Sequence, residues 1–204
     1  MWKEHSPYGV IDQWEVLKIQ NDSVHTKVII KCSAKNGQYQ FVVKLDKQGK
    51  IDDFNIENYY ADGAFLTPPY DLQNYTEKQV TIGNGEFALP GILTTPKGKG
   101  PFPVVVLVHG SGSSDMDESM FAHRPFQNFA VGLASEGIAV LRYDKRTRTH
   151  AMKFKFEPNY TINEETVDDA NLAVNLLKKQ PKIDNKQIFV LGHSQGGFAL
   201  PKII

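Results

Sequence analysis

Apolar and polar positions along the chain follow two different rhythms. Between residues 10 and 58 they alternate with period two, in runs broken by turn residues. QWEVLKIQ gives way to Asn21-Asp22, and SVHTKVIIKCS to an Asn36-Gly37 pair suited to a tight hairpin. YQFVVKLD is followed by KQGK, and IDDFNIEN closes the set. Successive strand side chains point to opposite faces, so the pattern predicts four antiparallel strands in a meander with one apolar face to cover. Residues 1–9 contain no helical segment. The cover is therefore expected from a second domain, a partner chain or sequence preceding Met1.

From residue 76 the apolar runs become continuous. KQVTIGNGEFALPGILTTP predicts a hairpin around Asn84-Gly85, and VVVLVHG, IAVLRYD and KQIFVLG read as strands buried on both faces of a parallel sheet. Between them lie two segments of helical period. RPFQNFAVGLASEG has apolar residues at Phe126, Phe129, Ala130 and Leu133, with Gly137 as a C-terminal stop. TINEETVDDANLAVNLLKKQP opens with Thr161 and Glu164 in capping-box spacing and ends before Pro181. Alternating strands and helices predict an α/β domain with a mostly parallel sheet and flanking helices. The expected organisation is a small antiparallel-sheet domain at 1–60, a proline-containing linker at 61–75 and the α/β domain at 76–204.

Charge narrows the partners. Lys plus Arg number 23 and so do Asp plus Glu, which argues against nucleic acid or an anionic membrane surface. No apolar run approaches the ~20 residues that span a bilayer, and the N-terminus lacks the pattern of a secretion signal. The one cysteine, Cys32, occupies a core-facing strand position and fits a reducing, cytoplasmic setting. The six histidines lack metal-ligand spacing, so neither a metal nor another cofactor is expected.

The chemistry concentrates at Gly192-His193-Ser194-Gln195-Gly196, a G-x-S-x-G sequence. By composition alone such a pattern arises in roughly one 200-residue chain in fifteen. Here it stands where a buried strand ends and a helix can begin, as a nucleophile elbow requires. The serine there takes a strained backbone with its hydroxyl exposed, and glycines at 192 and 196 remove the side chains that would collide. A glycine-rich turn that packs tightly or holds a phosphate is the plainer alternative. HGSG at 109–112 follows the first buried strand, where a glycine-rich loop containing Gly110 and Gly112 can aim N–H groups at the serine. Ser111, with Gly112 as rival, and Gln195 are the expected oxyanion donors. His109, at the root of that loop, reads as a structural histidine. Asp144 reads as a partner of Arg142, Lys145 or Arg146.

PVVVLVHGSG, FQNFAVGLASEGIAVLRYDKR, TVDDANLAVNLLKKQPKID and IFVLGHSQGG together resemble a bacterial α/β-hydrolase of the serine-esterase and prolyl-oligopeptidase-like kind. The first domain resembles the small NTF2- or cystatin-like domain that precedes such esterases. The resemblance implies a serine hydrolase acting on small-molecule carboxylic esters, with Ser194 as nucleophile. It places the acid after a seventh strand and the histidine after an eighth, hence beyond Ile204. It also implies that IFVLG, normally central, is an apolar edge here, open to self-association. A peptidase or acyltransferase on the same serine, or an inactive fragment with a binding role, are the alternatives. The segment 146–160, basic and aromatic, is either a wall of the substrate entrance or a solvated connection.

Overall fold

The computed structural model describes residues 9–61, 65, 74–154 and 159–203. The chain forms two units, Met1–Ala64 and Phe65–Ile204. Most of the expected linker, along with Trp2 and Phe156, lies outside the described residues.

The first unit is a four-stranded antiparallel sheet in sequential order: β1 (Ile11–Asn21), β2 (Thr26–Ala34), β3 (Gly37–Leu45) and β4 (Ile51–Asn58). Trp14–Cys32–Tyr39 and Val16–Ile30–Phe41–Ile56 face one another across the ladders, so the period-two alternation collects these side chains on one face. The first connection is pinned by Asp22, whose Oδ1 accepts the N–H groups of Val24 and His25, each at 2.7 Å. The second hairpin differs from expectation by one residue. Ala34 pairs with Gly37, which leaves Lys35 and Asn36 as the loop. Gly37, at φ 143°, begins β3 in a conformation that disfavours a side chain.

The second unit contains β5 (Tyr75–Ile82), β6 (Leu89–Pro96), β7 (Phe102–Val108), β8 (Ala139–Tyr143) and β9 (Ile183–Gly192), in the order β5-β6-β8-β7-β9. β7 is parallel to both neighbours, β8 and β9, whereas β5-β6 and β6-β8 are antiparallel, so the sheet is mixed with a parallel centre. Its helices are α1 (Pro125–Ser135), two short turns α2 (Arg146–Thr149) and α3 (Ala151–Phe154), then α4 (Asp168–Leu177) and α5 (Gln195–Ala199). A π-helical turn, Asn163–Val167, leads into α4.

β7 explains why its sequence is apolar throughout. Val104, Val106 and Val108 pack with Ala170, Ala173 and Leu177 of α4, while Leu107 packs with Phe126 and Ala130 of α1. Each face of the strand thus meets a helix. Two predicted helix ends take their expected form. Gly137, at φ 87°, closes α1 as its N–H reaches Ala134 O and that of Ile138 reaches Leu133 O, a Schellman arrangement. Glu164 Oε2 accepts the Thr161 N–H at 2.8 Å, the backward half of a capping box. Phe129, assigned to the apolar stripe of α1, is 48% exposed instead. Among the described residues only one side of β9 is paired, to β7, and Phe189 and Leu191 on it are 55% and 37% exposed. Among the described residues no helix is long and apolar enough to cross a membrane.

Leu141 is fully buried in β8, between Leu93 of β6 and Val106 of β7. Leu141→Ala is expected to cost about 3 kcal/mol of unfolding free energy, measurable by urea titration, because the rigid sheet cannot collapse into the void.

Candidate active site

The elbow is made by backbone proximity. β9 ends at Gly192, and the His193 N–H donates to Val108 O at 2.9 Å, carrying the β7–β9 pairing one residue further. The chain then reverses through Ser194 at φ 49°, ψ −112°, and α5 begins at Gln195. A non-glycine residue holds this conformation only where its surroundings force it. The forcing contacts are visible at the glycines. A Cβ on Gly192 would lie 2.3 Å from Gly196 C, and one on Gly196 would lie 2.4 Å from Val108 O. Gly197 permits the same approach less severely, 3.2 Å from Gly192 O. Ser194 is exposed at the crest of the turn, and no described side chain hydrogen-bonds its hydroxyl.

Residues 109–118 form the facing loop, which is tied down at nearly every turn. His109 is buried with Nε2 3.0 Å from Asp115 O. Asp115 Oδ1 in turn accepts the N–H groups of Asp117 (3.2 Å) and Ser119 (2.8 Å). Glu118 Oε1 accepts the Gly110 N–H at 2.8 Å and sits 3.0 Å from His193 Nδ1. Gly110 itself borders Ser194, since a Cβ there would lie 3.4 Å from Ser194 Cβ. With the Gly110 N–H occupied, the next donor along the loop is Ser111. The N–H groups of Ser111 and Gln195 donate to no protein acceptor among the described residues. Gly112, at φ 94°, turns the loop, and its carbonyl accepts the Thr147 hydroxyl at 3.1 Å.

The segment after β8 clamps this loop, a function the sequence reading did not assign to it. Asp144 Oδ1 accepts the Met116 N–H at 2.9 Å, so its carboxylate serves the loop backbone, while Arg142, Lys145 and Arg146 bind Asp117 and Glu77, Glu165 and Asp169. The Lys145 N–H donates to Ser114 O at 3.0 Å. The Lys145 side chain is 2% exposed, with Nζ 2.7 Å from Gly110 O, 2.9 Å from Gln195 Oε1 and 2.6 Å from Glu165 Oε1. Gln195 Nε2 closes the ring by donating to Glu165 Oε2 at 3.2 Å. Arg142 reaches the loop from the strand itself, Nε to Asp117 Oδ1 at 2.7 Å, and also holds Glu77 on β5. The one available signal for Lys145 was a lysine inside DKR directly after an apolar strand, a pattern too common to single it out.

Among the described residues of the second unit, His123 and His150 make their contacts elsewhere. His150 is buried with Nε2 2.9 Å from Ala88 O, and His123 pairs through its backbone with Met120. Of the 146–160 segment, the described residues are packed rather than solvated at several points: Arg146, Thr149 and His150 are buried, and Phe154 packs against Phe87 and Tyr160, while residues 155–158 lie outside the described residues. Burial pushes the His109 imidazole down to about 4, so it is neutral at pH 7 and donates from Nε2–H to Asp115 O. Burial also raises the Asp169 carboxyl to about 6, against the pull of the Arg146 guanidinium bound to it.

Two substitutions probe this construction. Gly196→Ala is expected to destabilise by at least about 3 kcal/mol, because the new methyl meets backbone at β7 rather than a movable side chain. Chemical denaturation measures it. His109 binds its proton more weakly folded than unfolded, so its contribution is complete above its ordinary value and is lost as pH falls towards 4. Asp169 acts with the opposite sign between its ordinary value and about 6. The wild type is therefore compared with His109→Gln, in which the Asp169 contribution cancels. Between pH 7 and pH 4 the wild type should lose roughly 3 kcal/mol more than the variant, from about 2.5 units at 1.36 kcal/mol each.

Comparison with known proteins places this geometry. Residues 105–202, which hold both the loop and the elbow, match the alpha/beta hydrolase family. The chain is 40% identical over 168 residues to "Esterase EstD" of Thermotoga maritima, covering 82% of this chain and 38% of that protein. It is 30% identical over 135 residues to "Uncharacterized peptidase YuxL" of Bacillus subtilis, covering 65% of this chain and 19% of that one. The chain thus spans well under half the length of these relatives. A solved structure of brefeldin A esterase, titled a bacterial homologue of human hormone sensitive lipase, superposes with a TM-score of 0.49 at 22% identity, over 69% of this chain and 38% of that chain. The strand order β5-β6-β8-β7-β9, the elbow after β9 and the family match over both site loops agree: the second unit has the alpha/beta hydrolase fold, and its residues 105–202 match that family.

Proposed function

We propose that the second unit carries the nucleophile and oxyanion hole of a serine hydrolase that cleaves small-molecule carboxylic esters. The carrying observation is the φ of 49° at Ser194, held between Gly192 and Gly196 at a strand-to-helix junction with its hydroxyl exposed. In this reading Ser194 Oγ attacks the acyl carbon while its proton passes to a general base. The carbonyl oxygen becomes an oxyanion held by the N–H groups of Ser111 and Gln195. Collapse expels the alcohol, which takes up the proton from the base, and water then releases the acid from the acyl-enzyme.

His109, His150 and His193 are each held by other groups, at Asp115 O, Ala88 O and Glu118. The base and its carboxylate partner are therefore assigned to segments outside the described residues. Losing a triad base costs on the order of 10⁶ in turnover, so activity belongs to a protein that contains those segments. The open side of β9 supports pairing with a further strand, from the same polypeptide or a second copy.

The test is mass spectrometry of the natively expressed, full-length protein after treatment with a fluorophosphonate probe. Modification mapped to Ser194, and abolished in Ser194→Ala, is the expected result. A protein that hydrolyses esters without modification at Ser194 would overturn the reading. The similarity to a named peptidase favours amide cleavage as the second reading. Acyl p-nitrophenyl esters compared with aminoacyl p-nitroanilides separate the two, and ester kcat/KM should exceed amide by at least about tenfold.

A further inference from the structure

The Lys145 ammonium bonds to Gly110, Gln195 and Glu165 rather than to Ser194, and so joins the two segments that flank the proposed nucleophile. Its three acceptors come from three parts of the chain: Gly110 O in the loop after β7, Gln195 Oε1 at the start of α5, and Glu165 Oε1 in the turn before α4. Three donors meeting three acceptors in a buried position leave the side chain no freedom to rotate.

The identity of the first two acceptors matters most. Gly110 O belongs to the peptide unit whose N–H is that of Ser111. In a trans peptide the C=O and N–H point in opposite directions. An ammonium fixed on the Gly110 oxygen therefore orients the Ser111 N–H away from Lys145, and a cation on the oxygen also polarises that N–H as a donor. Gln195 supplies the second open N–H, and its side chain is held at both ends, Oε1 by Lys145 and Nε2 by Glu165. The Glu165 carboxylate balances the ammonium, one oxygen on Lys145 and the other on Gln195.

We propose that Lys145 is a positioning residue that sets both oxyanion donors at once, through the Gly110–Ser111 peptide on one side and the Gln195 side chain on the other. This rests on the reading of Ser194 as nucleophile. The role concerns charge that develops during the reaction, so the effect falls on the transition state and leaves ground-state substrate binding nearly unchanged.

The experiment uses the full-length protein, its Lys145→Met and Gln195→Leu variants and the double variant, with ester kinetics and affinity for an alkyl trifluoromethyl ketone, which forms an oxyanion adduct with an active serine. Thermal melts verify folding. Lys145→Met should lower kcat on the order of 10²-fold, as loss of an oxyanion donor does, with KM within about twofold. Affinity for the ketone should fall in parallel with kcat/KM. Gln195→Leu keeps its backbone N–H and should show a smaller loss of the same kind. The double variant should lose no more than Lys145→Met, because both act through one network. A folded Lys145→Met protein with undiminished kcat, or with kcat and ketone affinity uncoupled, overturns the inference while fluorophosphonate labelling of Ser194 still stands. A wild type that is not labelled at Ser194 overturns both. If Lys145→Met does not fold, Gln195→Leu decides: unchanged kcat and ketone affinity sink the proposal.

Discussion

The second unit depends on how closely one stretch of backbone approaches another. Gly196 lies against the carbonyls of Val108 and His109 with no room for a Cβ, and Gly192 lies as closely against Gly196 and Gly197. These contacts fix where α5 starts over the end of β7 and force Ser194 into a left-handed conformation. They also bring the C-terminal ends of β7 and β9 to one level, so the loop that follows each strand meets the other. Without this proximity, a serine after a strand would be a serine in a turn. With it, the serine faces a glycine loop in which the Gly110 N–H is held by Glu118 and the Ser111 N–H is open.

Close backbone packing brings polar groups into a dry place, and the structure satisfies them with charged side chains supplied by one short segment. Arg142, Asp144, Lys145 and Arg146 are all buried at or just past the end of β8. Arg142 holds Asp117 and Glu77, Asp144 holds the Met116 N–H, Lys145 holds Glu165, and Arg146 holds Asp169. Buried charges are costly unless paired and hydrogen-bonded. Here the pairings extend outwards from β8 to the loop after β7, to the entry of α4 and to β5. The segment acts as a hub that sets positions rather than as a surface decorated with charge.

Much of this fold was legible because burial leaves a periodic trace. Alternation placed β1 to β4, continuous valine and leucine runs placed β7 and β8, and Gly137, Thr161 and Glu164 marked helix ends that hold in the structure. The elbow was legible for a steric reason, since only glycine fits at 192 and 196. What escaped has a common cause. The hairpin at Lys35–Asn36 differs by one residue because both flanking peptides lie beside the same glycine, and pairing decides between them. The partners of Asp144 and Lys145 escaped because they are long-range: Met116 is 28 residues from Asp144, Gly110 is 35 from Lys145, and Gln195 is 50 from it. A sequence shows that charges exist, but their partners are set by the packing of separate loops.

Gly110 shows why those partners matter to the chemistry. A side chain there would press on His193 Nδ1, 3.1 Å away, and on Ser194 Cβ at 3.4 Å, so closeness to Ser194 favours glycine. Glycine is also the residue with the most backbone freedom, and the proposed oxyanion hole needs its donors preorganised. The two demands are reconciled by pinning Gly110 at both of its own backbone polar groups. Glu118 takes its N–H at 2.8 Å and Lys145 takes its carbonyl at 2.7 Å. With both ends held, φ and ψ of the glycine lose their freedom, and the first unassigned donor in the loop becomes the N–H of Ser111. The pins carry opposite charges and come from different segments, Glu118 from the loop's own far end and Lys145 from beyond β8. The loop's shape therefore depends on the pairing of β7 with β8, which brings Lys145 to Gly110, and the order of the site follows from the order of the sheet.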